Sequence, residues 1–557
     1  MLNIKPFLIT LLAVSPGVFA QQPPNAGRQM QQIPPVPLPQ KFEPTVDVLP
    51  LSPPESAESA AVRIMVRSLA VTGAKAYPEA ELIALTGFVP DSELSLADLR
   101  GMALKIGNHY RSNGYFVAQA YLPAQDIKDG AVTIAVIEGE YGRITLQNQT
   151  RLSDGLAHSH LDGLNSGDPI TAAPLESRLL LLSDIPGVRV KSTLTPGSTV
   201  GASDLTIELT PAPMISGEVD VDNAGNRYTG VYRLGGTINI NNLAGYGDVF
   251  SLRGITAGSG LNYARASYQM MFGKATVGVA YSALRYELGE EYKSLDANGT
   301  AEIASAYGSY PLIRSRNNNL YAGLLYEHKT FEDRIESVSP HLVTEKNADV
   351  LSASLYGNAR DQLFGGGFTS YGLTWSTGKL DIETDAARII DAATAKTNGH
   401  YNKLSLTAYR LQRITDSVSL SANLNGQVAS KNLDSSEKME LGGMYGVRAY
   451  PEGEAYGDEG YVLNLEARYL LPKFSDSLPG QMHLIGFVDT GSIRMHKDPW
   501  APGDNTRSLS GAGVGISWAD TNNFLARAYY AVKLGNEDAI SAPDRSGRFW
   551  FQLVKYF

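Results

Sequence analysis

Three consecutive stretches decide the fold of this 557-residue chain: 442–460 (GGMYGVRAYPEGEAYGDEG), 461–472 (YVLNLEARYLLP) and 481–492 (QMHLIGFVDTGS). Between residues 461 and 471, apolar side chains alternate with Asn464, Glu466 and Arg468. Successive side chains of a β-strand point to opposite faces, so this segment forms a strand with one apolar and one polar face. The pattern predicts a membrane-spanning strand whose polar face lines an aqueous lumen.

The next segment places Asp489 on the same face as His483 and Phe487. A carboxylate on a strand whose other face is lipid-like is expected to point into the lumen, where it is solvated or paired. The Gly- and Tyr-rich stretch ahead of both strands has one cation in its middle, Arg448. If this loop folds back into the lumen, Arg448 and Asp489 form a bidentate, charge-assisted pair that holds it there. The alternative is a solvated loop cation and a lumen acid without a special partner.

Two short motifs in these stretches resemble those of the two-partner secretion translocators, the TpsB proteins of the haemolysin secretion/activation type. GVRAY (446–450) is similar to the VRGY loop motif of that family, and FVDTG (487–491) is similar to its F-x-D-x-G strand motif. Ala449 stands where the family has Gly. In that family the loop enters a β-barrel and its Arg pairs with the strand Asp. The resemblance implies a loop lock of Arg448 and Asp489, with loop-motif residues Gly446, Val447 and Tyr450 and strand-motif residues Phe487 and Gly491.

Composition and charge narrow the class of protein further. Charged residues make up 19% of the chain, hydrophobic residues only 43%, and there are 55 Gly and 29 Tyr. No window approaches the length of a transmembrane helix, so the composition favours many amphipathic strands. The formal net charge of −10 lacks the basic footprint of a non-specific nucleic-acid binder, and no nucleic-acid partner is expected.

The first twenty residues predict export. Lys5 precedes an apolar run from residue 7 to 14, and helix breakers and the small residue Ala20 follow, as in a cleaved secretory signal peptide (1–20). The chain has no cysteine, which excludes disulfides, thiolate zinc sites and cysteine nucleophiles.

Residues 21–62 are rich in proline and predict a semi-extended linker. The spacing of the prolines leaves only 25–32 for a short helix. In some members of the family that the chain resembles, an N-terminal helix plugs the barrel, so here such a plug would be small or absent. A PxxP ligand at 34–39 is a less favoured alternative to a spacer.

Residues 63–141 and 142–212 predict two α+β modules, each in the order strand, helix, helix, strand, strand. Ser95 and Asp98 resemble a capping box that opens the long helix of the first module. The two modules resemble the periplasmic POTRA domains that TpsB proteins carry in tandem. The resemblance implies capture of an unfolded client by strand addition, against the alternative of two rigid spacers.

From residue 213 to 557 the composition shifts to amphipathic strands joined by Gly- and Asn-rich turns. We place sixteen strands, each long enough to cross an outer membrane, and predict a 16-stranded antiparallel transmembrane β-barrel. The even count puts both barrel ends on the periplasmic side. The tail GRFWFQLVKYF ends on Phe557, a terminal aromatic of the kind that barrel-assembly machinery recognises, with Lys555 able to snorkel at the interface.

Patterns that carry catalytic or metal chemistry are weak in this sequence. Residues 220–231 begin like a calcium loop but end on Val231 instead of Glu, and the spacing of His158 and His160 points their rings to different helix faces. No HExxH, GxSxG or Walker pattern occurs. We predict no catalytic residues, no metal site and no cofactor.

The predicted function is export of a large TpsA-type exoprotein across the outer membrane of a Gram-negative cell, a form of type V secretion, with possible activation of the client. Barrel-assembly machinery, periplasmic chaperones and outer-membrane lipid are the other expected partners. The alternatives are a BamA-like insertase, for which five POTRA repeats would argue, and a passive porin, which lacks POTRA repeats. The client stays open among adhesin, haemolysin, contact-dependent toxin and haem-acquisition protein.

Overall fold

The computed structural model describes residues 23–34, 44–48, 63–473, 475 and 477–557. The predicted signal peptide lies outside the described residues, as does most of the proline-rich segment 21–62. No helix in the described part of the chain is long and apolar enough to cross a membrane.

Two short segments of the proline-rich stretch 21–62 have regular structure. Helix α1 (Ala26–Gln31) lies within 25–32, where the sequence leaves room for a short helix, and the Asn25 side chain caps it by accepting from the Arg28 N–H at 3.1 Å. The second segment, a strand, was not predicted. Strand β1 (Thr45–Val48) forms in the next proline-free run, because a sheet edge in a distant part of the chain supplies its hydrogen-bond partners.

The first α+β module packs two helices on a small sheet, and α3 begins with the predicted capping box, in which Ser95 and Asp98 bond each other's backbone N–H. Its core is one apolar cluster that includes Leu99, Ile106 and Tyr110. The sheet order is β3-β6-β5, and β2 and β4 form a separate pair that the sequence did not predict. The elements are β2 (Arg63–Val66), β3 (Ser68–Thr72), α2 (Glu79–Thr86), β4 (Ser92–Ser95), α3 (Leu96–Ser112), β5 (Gln119–Tyr121) and β6 (Ala131–Ile137).

The second module has the order strand, helix, helix, strand, strand and lacks counterparts of β2 and β4. Its sheet has the order β1-β8-β9-β7, so the linker strand β1 lies at one edge. The elements are β7 (Glu140–Asn148), α4 (Asp154–Ser159), α5 (Ala172–Ser183), β8 (Val188–Pro196) and β9 (Ala202–Pro211).

Within the described residues, sixteen antiparallel strands close into a barrel, which confirms the predicted fold class. A two-strand hairpin, β21 and β22, lies in the long connection between β20 and β23, and helix α6 follows β18. The elements are β10 (Ile215–Asp222), β11 (Arg233–Asn241), β12 (Val249–Thr256), β13 (Leu261–Phe272), β14 (Ala275–Glu287), β15 (Ala297–Arg314), β16 (Asn318–Ile335), β17 (Leu342–Asp361), β18 (Gly367–Ile382), α6 (Asp385–Ala393), β19 (Gly399–Arg413), β20 (Val418–Ala429), β21 (Met439–Glu440), β22 (Tyr456–Gly457), β23 (Glu459–Leu470), β24 (Gln481–Arg494), β25 (Thr506–Asp520), β26 (Phe524–Lys533) and β27 (Gly547–Tyr556).

The apolar and polar side chains of β23 lie on the two opposite faces that the sequence predicts. Tyr461, Leu465 and Tyr469 leave 45%, 46% and 44% of their surface exposed on the outer face, where lipid covers them. Glu466, on the opposite face, is half-buried inside the barrel. An apolar face therefore surrounds a polar interior.

Polar contacts between the second module and the barrel fix which barrel end faces the modules. The Arg314 guanidinium, at the end of β15, bonds both carboxylate oxygens of Asp184 at 2.6 and 3.0 Å. In the adjacent turn, the backbone N–H of Arg316 donates to Glu176 at 2.8 Å. The turn between β15 and β16 is therefore on the module side, and the long connection between β20 and β23 leaves the barrel wall at the opposite end.

Candidate functional site in the barrel lumen

The connection 430–458 folds back into the barrel instead of extending from it. Almost every residue from 432 to 458 is shielded from solvent, although many of them are glycine or polar. The short β21 and β22 pairing, Met439 with Gly457 and Glu440 with Tyr456, gives the loop its own framework. A buried loop needs partners for its polar groups, and the lumen wall supplies them.

Arg448, in the middle of this loop, contacts the strand acid that the sequence singled out. Its Nε and Nη2 donate to the two carboxylate oxygens of Asp489 at 2.9 and 2.8 Å, and its backbone N–H donates to the same carboxylate at 3.1 Å. Asp489 is fully buried and Arg448 is 4% exposed. The structure therefore brings the predicted pair together in the bidentate geometry of a charge-assisted bond.

A second acid and an amide complete the polar surroundings of Arg448. Its Nη1 donates to Glu466 at 2.8 Å, and Arg468 bonds the other oxygen of Glu466 at 2.7 Å. Asn464 donates to Asp489 and to the Gly446 carbonyl, both at 2.8 Å. Two guanidinium groups thus face two carboxylates, so the charges of this group balance.

Aromatic rings enclose the guanidinium on its other sides. Its Cζ atom lies 3.5 Å from the ring centroid of Phe487 and 4.9 Å from that of Tyr529, within the range of cation–π attraction. Trp550 of β27 donates its indole N–H to the Arg448 carbonyl at 2.7 Å. The strand-motif Phe487 therefore has a direct function: it covers the charge that Asp489 binds.

The two motif glycines allow close packing, Gly491 between the wall and the loop and Gly446 within the loop itself. A Cβ on Gly491 would lie 2.6 Å from the Leu441 side chain and 2.8 Å from a backbone oxygen, and a Cβ on Gly446 would lie 2.3 Å from a backbone oxygen. Val447 is fully buried and joins the loop's apolar cluster. Tyr450 is also fully buried, and its hydroxyl donates to the Glu537 carbonyl at 3.0 Å.

Ala449, which replaces the family's usual Gly, is accommodated by a glycine on the wall. Ala449 is not among the residues with positive φ, so its backbone tolerates a side chain. Opposite it on β25 is Gly511, where an added Cβ would lie 2.5 Å from the Ala449 Cβ. The methyl group of Ala449 fills the space that Gly511 leaves.

Because Ala449 packs against Gly511, we predict that a substitution at one position rescues a substitution at the other. Gly511→Ala is expected to push the loop off the wall, to raise cleavage of the loop by added protease several-fold and to lower secretion. Ala449→Gly in the same chain should restore both, because it removes the clashing methyl group. Limited proteolysis of the purified variants checks this, and equal cleavage of Gly511→Ala with and without Ala449→Gly would contradict it.

Ion pairs to other strands of the barrel wall hold the first residues of the loop. Asp434 bonds Lys346 of β17 at 2.9 Å, and Glu437 bonds Lys329 and Lys403, of β16 and β19, at 2.9 and 2.7 Å. Burial raises the pKa of both loop acids, but the lysines outweigh it and hold each pKa at about 2. These acids therefore bind the loop as carboxylates.

Because Asp434 and Glu437 bind the loop as carboxylates, we predict that acid releases the loop from the barrel wall. A carboxylate whose folded-state pKa is depressed stabilises the fold above its ordinary pKa and loses this effect as the pH falls through the folded value. As the pH drops from about 4 to about 2, protonation of Asp434 and Glu437 should free the loop and raise ion conductance in planar bilayers. Asp434→Asn with Glu437→Gln should conduct more already at pH 7. A wild-type conductance that stays constant down to pH 2 would contradict this.

Helix α1 lies in the same lumen, against the loop. The Ala26 N–H donates to Asp333 of β16 at 2.8 Å, and Arg233 of β11 donates to the Gln32 carbonyl at 2.9 Å. Gln32 donates to the Tyr456 hydroxyl at 2.6 Å, and an added Cβ on Gly27 would lie 2.8 Å from the Ser436 Cβ. A six-residue helix is thus clamped between the barrel wall and the loop.

Some of these residues were within reach of sequence reasoning and others were not. Glu466 shares the polar face of its strand with Asn464, so alternation alone nominated it. Trp550 gave no signal, because its partner is a backbone carbonyl over a hundred residues away.

Phe557, the predicted C-terminal barrel signal, lies at the seam of β10 and β27 and is 54% exposed. Its backbone forms hydrogen bonds of 3.0 and 2.9 Å with Gly217.

Comparisons with known proteins agree with this architecture. A family model described as haemolysin secretion/activation protein ShlB/FhaC/HecB matches residues 201–518, and a model of the ShlB-type POTRA domain matches residues 64–139. The heme/hemopexin transporter protein HuxB of Haemophilus influenzae (strain 86-028NP) is 32% identical over 475 residues, which cover 84% of this chain and 82% of HuxB. The outer membrane transporter CdiB of Dickeya dadantii (strain 3937) is 26% identical and covers 76% and 75% of the two chains.

Two solved structures share the fold. CdiB from Escherichia coli superposes with a TM-score of 0.67 at 21% identity, over 91% of this chain and 93% of that one. BamA from Haemophilus ducreyi without its POTRA domains 1–3 gives a TM-score of 0.56 at 14% identity, over 89% and 100% of the two chains.

The closed sixteen-strand barrel, the POTRA region and the family match together place the chain among the outer-membrane protein transporters. The chain belongs to the haemolysin secretion/activation family ShlB/FhaC/HecB, the TpsB transporters of two-partner secretion. Its barrel is in the outer membrane, its POTRA region is periplasmic, and it exports a partner protein. The expectation of a secretion translocator is confirmed over that of an insertase.

Proposed function

We propose that this protein secretes one large exoprotein as an unfolded chain through its lumen, and that the Arg448–Asp489 pair locks the loop 430–458 until the client arrives. The observation that carries this proposal is the double obstruction of the lumen by the loop and α1. Both are held by hydrogen bonds, ion pairs and packing. Because the chain has no cysteine, no disulfide bond fixes either of them to the barrel wall. Such contacts break and reform, as a gate requires.

The two modules, 63–141 and 142–212, act in this proposal as POTRA domains that capture the client in the periplasm. Their sheets offer edges on which an extended chain adds as a strand. Periplasmic chaperones keep the client unfolded until then, and its folding outside the cell biases transport outward. No step of this cycle assigns a catalytic residue to the chain.

The test compares secretion of a candidate exoprotein partner, produced in the same cells, when those cells carry the wild type, a deletion of residues 60–212, or no copy. The proposal expects secretion to need the protein and its modules, while the deleted form still conducts ions. A porin would not affect secretion in any of the strains. If other barrel proteins failed to assemble and secretion persisted, the insertase alternative would replace the proposal.

For the client we infer a haem-acquisition exoprotein in preference to an adhesin, a haemolysin or a contact-dependent toxin. The relative that is 32% identical over most of this chain carries heme and hemopexin in its name, and the CdiB relative is more distant at 26%. The exoprotein whose secretion depends on this chain, purified from culture medium, should retain haem-loaded hemopexin on a column. Equal retention of serum albumin and hemopexin would contradict this class.

From the terminal position of Phe557 we predict that assembly of the barrel depends on the barrel-assembly machinery. Its backbone closes the seam against Gly217, and a Cβ on Gly217 would lie 2.6 Å from its ring. Deletion of Phe557 should lower the folded barrel in outer-membrane fractions several-fold, and Phe557→Tyr should preserve it. Heat-modifiable gel mobility measures the folded fraction, and wild-type levels of the deletion variant would contradict this role.

A further inference from the structure

The carboxylate of Glu454, near the end of the loop 430–458, is bound by donors from outside this loop. The Ile540 N–H donates to both carboxylate oxygens, at 3.0 and 3.1 Å, and the N–H and hydroxyl of Ser541 donate at 3.0 and 2.8 Å. The guanidinium of Arg507 adds a direct ion pair. Glu454 is 1% exposed, so these groups enclose its carboxylate. We call the donor groups of Arg507, Ile540 and Ser541 the anion cup.

The anion cup lies on the lumen side of the barrel wall, at the end opposite the periplasmic modules, which is the extracellular end. Arg507 is near the start of β25, and the other donors are in the connection between β26 and β27. Arg507 alternates with Leu509, which is buried inside the barrel, and Gly511, which packs against the loop. The occupant of the anion cup therefore enters it from the lumen, and the wall separates it from membrane lipid.

Contacts within the wall hold the anion cup in shape without help from the loop 430–458. Beside the anion cup, the Ala539 N–H donates to Asp544 at 2.8 Å. The guanidinium of Arg507 donates to the Asp538 carbonyl at 2.7 Å, which fixes it to the same connection. Because these groups belong to the wall and its connection, we expect the anion cup to persist when the loop moves.

The donors of the anion cup are those that bind a carboxylate. Successive backbone N–H groups form a concave anion site, and a guanidinium adds a charge-assisted bond. The polarity is opposite to that of the Arg448–Asp489 pair, in which the loop supplies the cation and the wall supplies the acid. Departure of the loop therefore leaves a cation and three neutral donors directed at one point. Unsatisfied donors in a shielded site favour a new anion.

The position of the anion cup identifies the source of that anion. Phosphates of membrane lipids lie on the other side of the barrel wall. Glu537 also faces Arg507, at 3.6 Å, but its side chain is 58% exposed and stays solvated. An unfolded exoprotein that leaves the lumen passes the anion cup and brings its Asp and Glu side chains to it.

We propose that Arg507, Ile540 and Ser541 form a carboxylate-binding site at the exit of the lumen. Glu454 fills this site in the closed protein, and acidic side chains of the exoprotein fill it during transport. This inference rests on the proposed function. In the closed state the site holds the loop, and in the open state it keeps the emerging segment at the exit until that segment folds outside.

Planar-bilayer recordings with a model peptide test the site. The full-length Arg448→Ala protein, whose loop is released in this account, receives a short Gly-Ser peptide with one central Glu on its extracellular side. The same peptide with Gln in place of Glu serves as the comparison. The Glu peptide should interrupt the current for at least tenfold longer than the Gln peptide, and Arg507→Gln in the same chain should remove this difference.

Two controls accompany these recordings. Arg494→Gln removes a cation at the end of the neighbouring strand β24 whose side chain is 52% exposed and alternates with the buried Ile493, and it should preserve the difference. In the protein with Arg448 intact, Glu454 fills the anion cup, and neither peptide should give long interruptions. Equal interruptions by the two peptides in Arg448→Ala, including none by either, would overturn the proposal.

Photo-crosslinking in cells tests the site with the loop lock intact. A photoreactive residue replaces Ile540, whose side chain is 42% exposed, and mass spectrometry identifies the exoprotein segments that it captures during secretion. The captured segments should be richer in Asp and Glu than the whole exoprotein, and Arg507→Gln should lower their yield several-fold relative to Arg494→Gln. Capture without this enrichment, or a yield that Arg507→Gln leaves unchanged, would contradict the site.

The outcomes separate this inference from the proposed function. If secretion needs the protein but the recordings and the crosslinks fail as described, the carboxylate site is refuted and the transporter function stands. If secretion does not need the protein at all, the proposed function itself fails.

Discussion

Replacement of Arg448 by alanine is expected to lower secretion of the exoprotein at least tenfold, with the amount of folded barrel unchanged. The substitution leaves the fully buried Asp489 without its cation and Glu466 without one of its two guanidinium partners. Removal of one partner of a buried ion pair costs about 3–5 kcal/mol. The barrel keeps its hydrogen-bonded strands, so the cost falls on the docked state of the loop, and the gate no longer reforms after it has opened, which each round of transport requires. Secretion assays with outer-membrane fractions of the same cells measure both quantities.

The chain offers matched controls for this variant. Arg468→Ala removes a neighbouring guanidinium that also bonds Glu466 but has a side chain that is 31% exposed, and it should secrete nearly as well as the wild type. Arg448→Lys keeps the charge but not the bidentate geometry and should be intermediate. If Arg448→Ala and Arg468→Ala secrete alike, the assignment of the lock to Arg448 is wrong.

Deletion of residues 23–34 is expected to raise the ion conductance of the barrel several-fold. These residues include α1, which occupies lumen between the wall residues Asp333 and Arg233 and the loop. Without it, water and ions replace buried side chains such as Gln29, which is fully shielded. Planar-bilayer recordings of the purified protein measure the change.

The matched control for this deletion removes the same number of residues, 50–61, from the linker and leaves α1 in place. Its conductance should equal that of the wild type. If both deletions raise conductance equally, the length of the linker, and not the helix, controls the lumen.

The barrel was predictable because membrane strands carry a strict two-residue period. In β23 and β24, lipid dictates one face and water the other, and residues near in sequence suffice to show this. The predicted stretches 461–472 and 481–492 end within two residues of β23 (Glu459–Leu470) and β24 (Gln481–Arg494). The Arg448–Asp489 contact needed more than periodicity: the family motifs paired residues that are 41 positions apart.

The remaining features depend on partners that no local pattern reveals. Helix α1 is too short to be stable alone, and its lumen position follows from contacts with residues two to four hundred positions away. Strand β1 forms only because β8 leaves an edge for it. Likewise, the space for the Ala449 methyl group depends on Gly511, which lies on another strand.

Site-specific photo-crosslinking during secretion tests most directly whether the client passes through this lumen. A photoreactive residue at Asn423, which faces the lumen opposite Asn464, is compared with one at Leu465, which faces lipid on the neighbouring strand. The account predicts crosslinks to the exoprotein from position 423 and none from 465, with the yield at 423 reduced in Arg448→Ala. Undiminished secretion without crosslinks at 423, or equal yields at both positions, would contradict it.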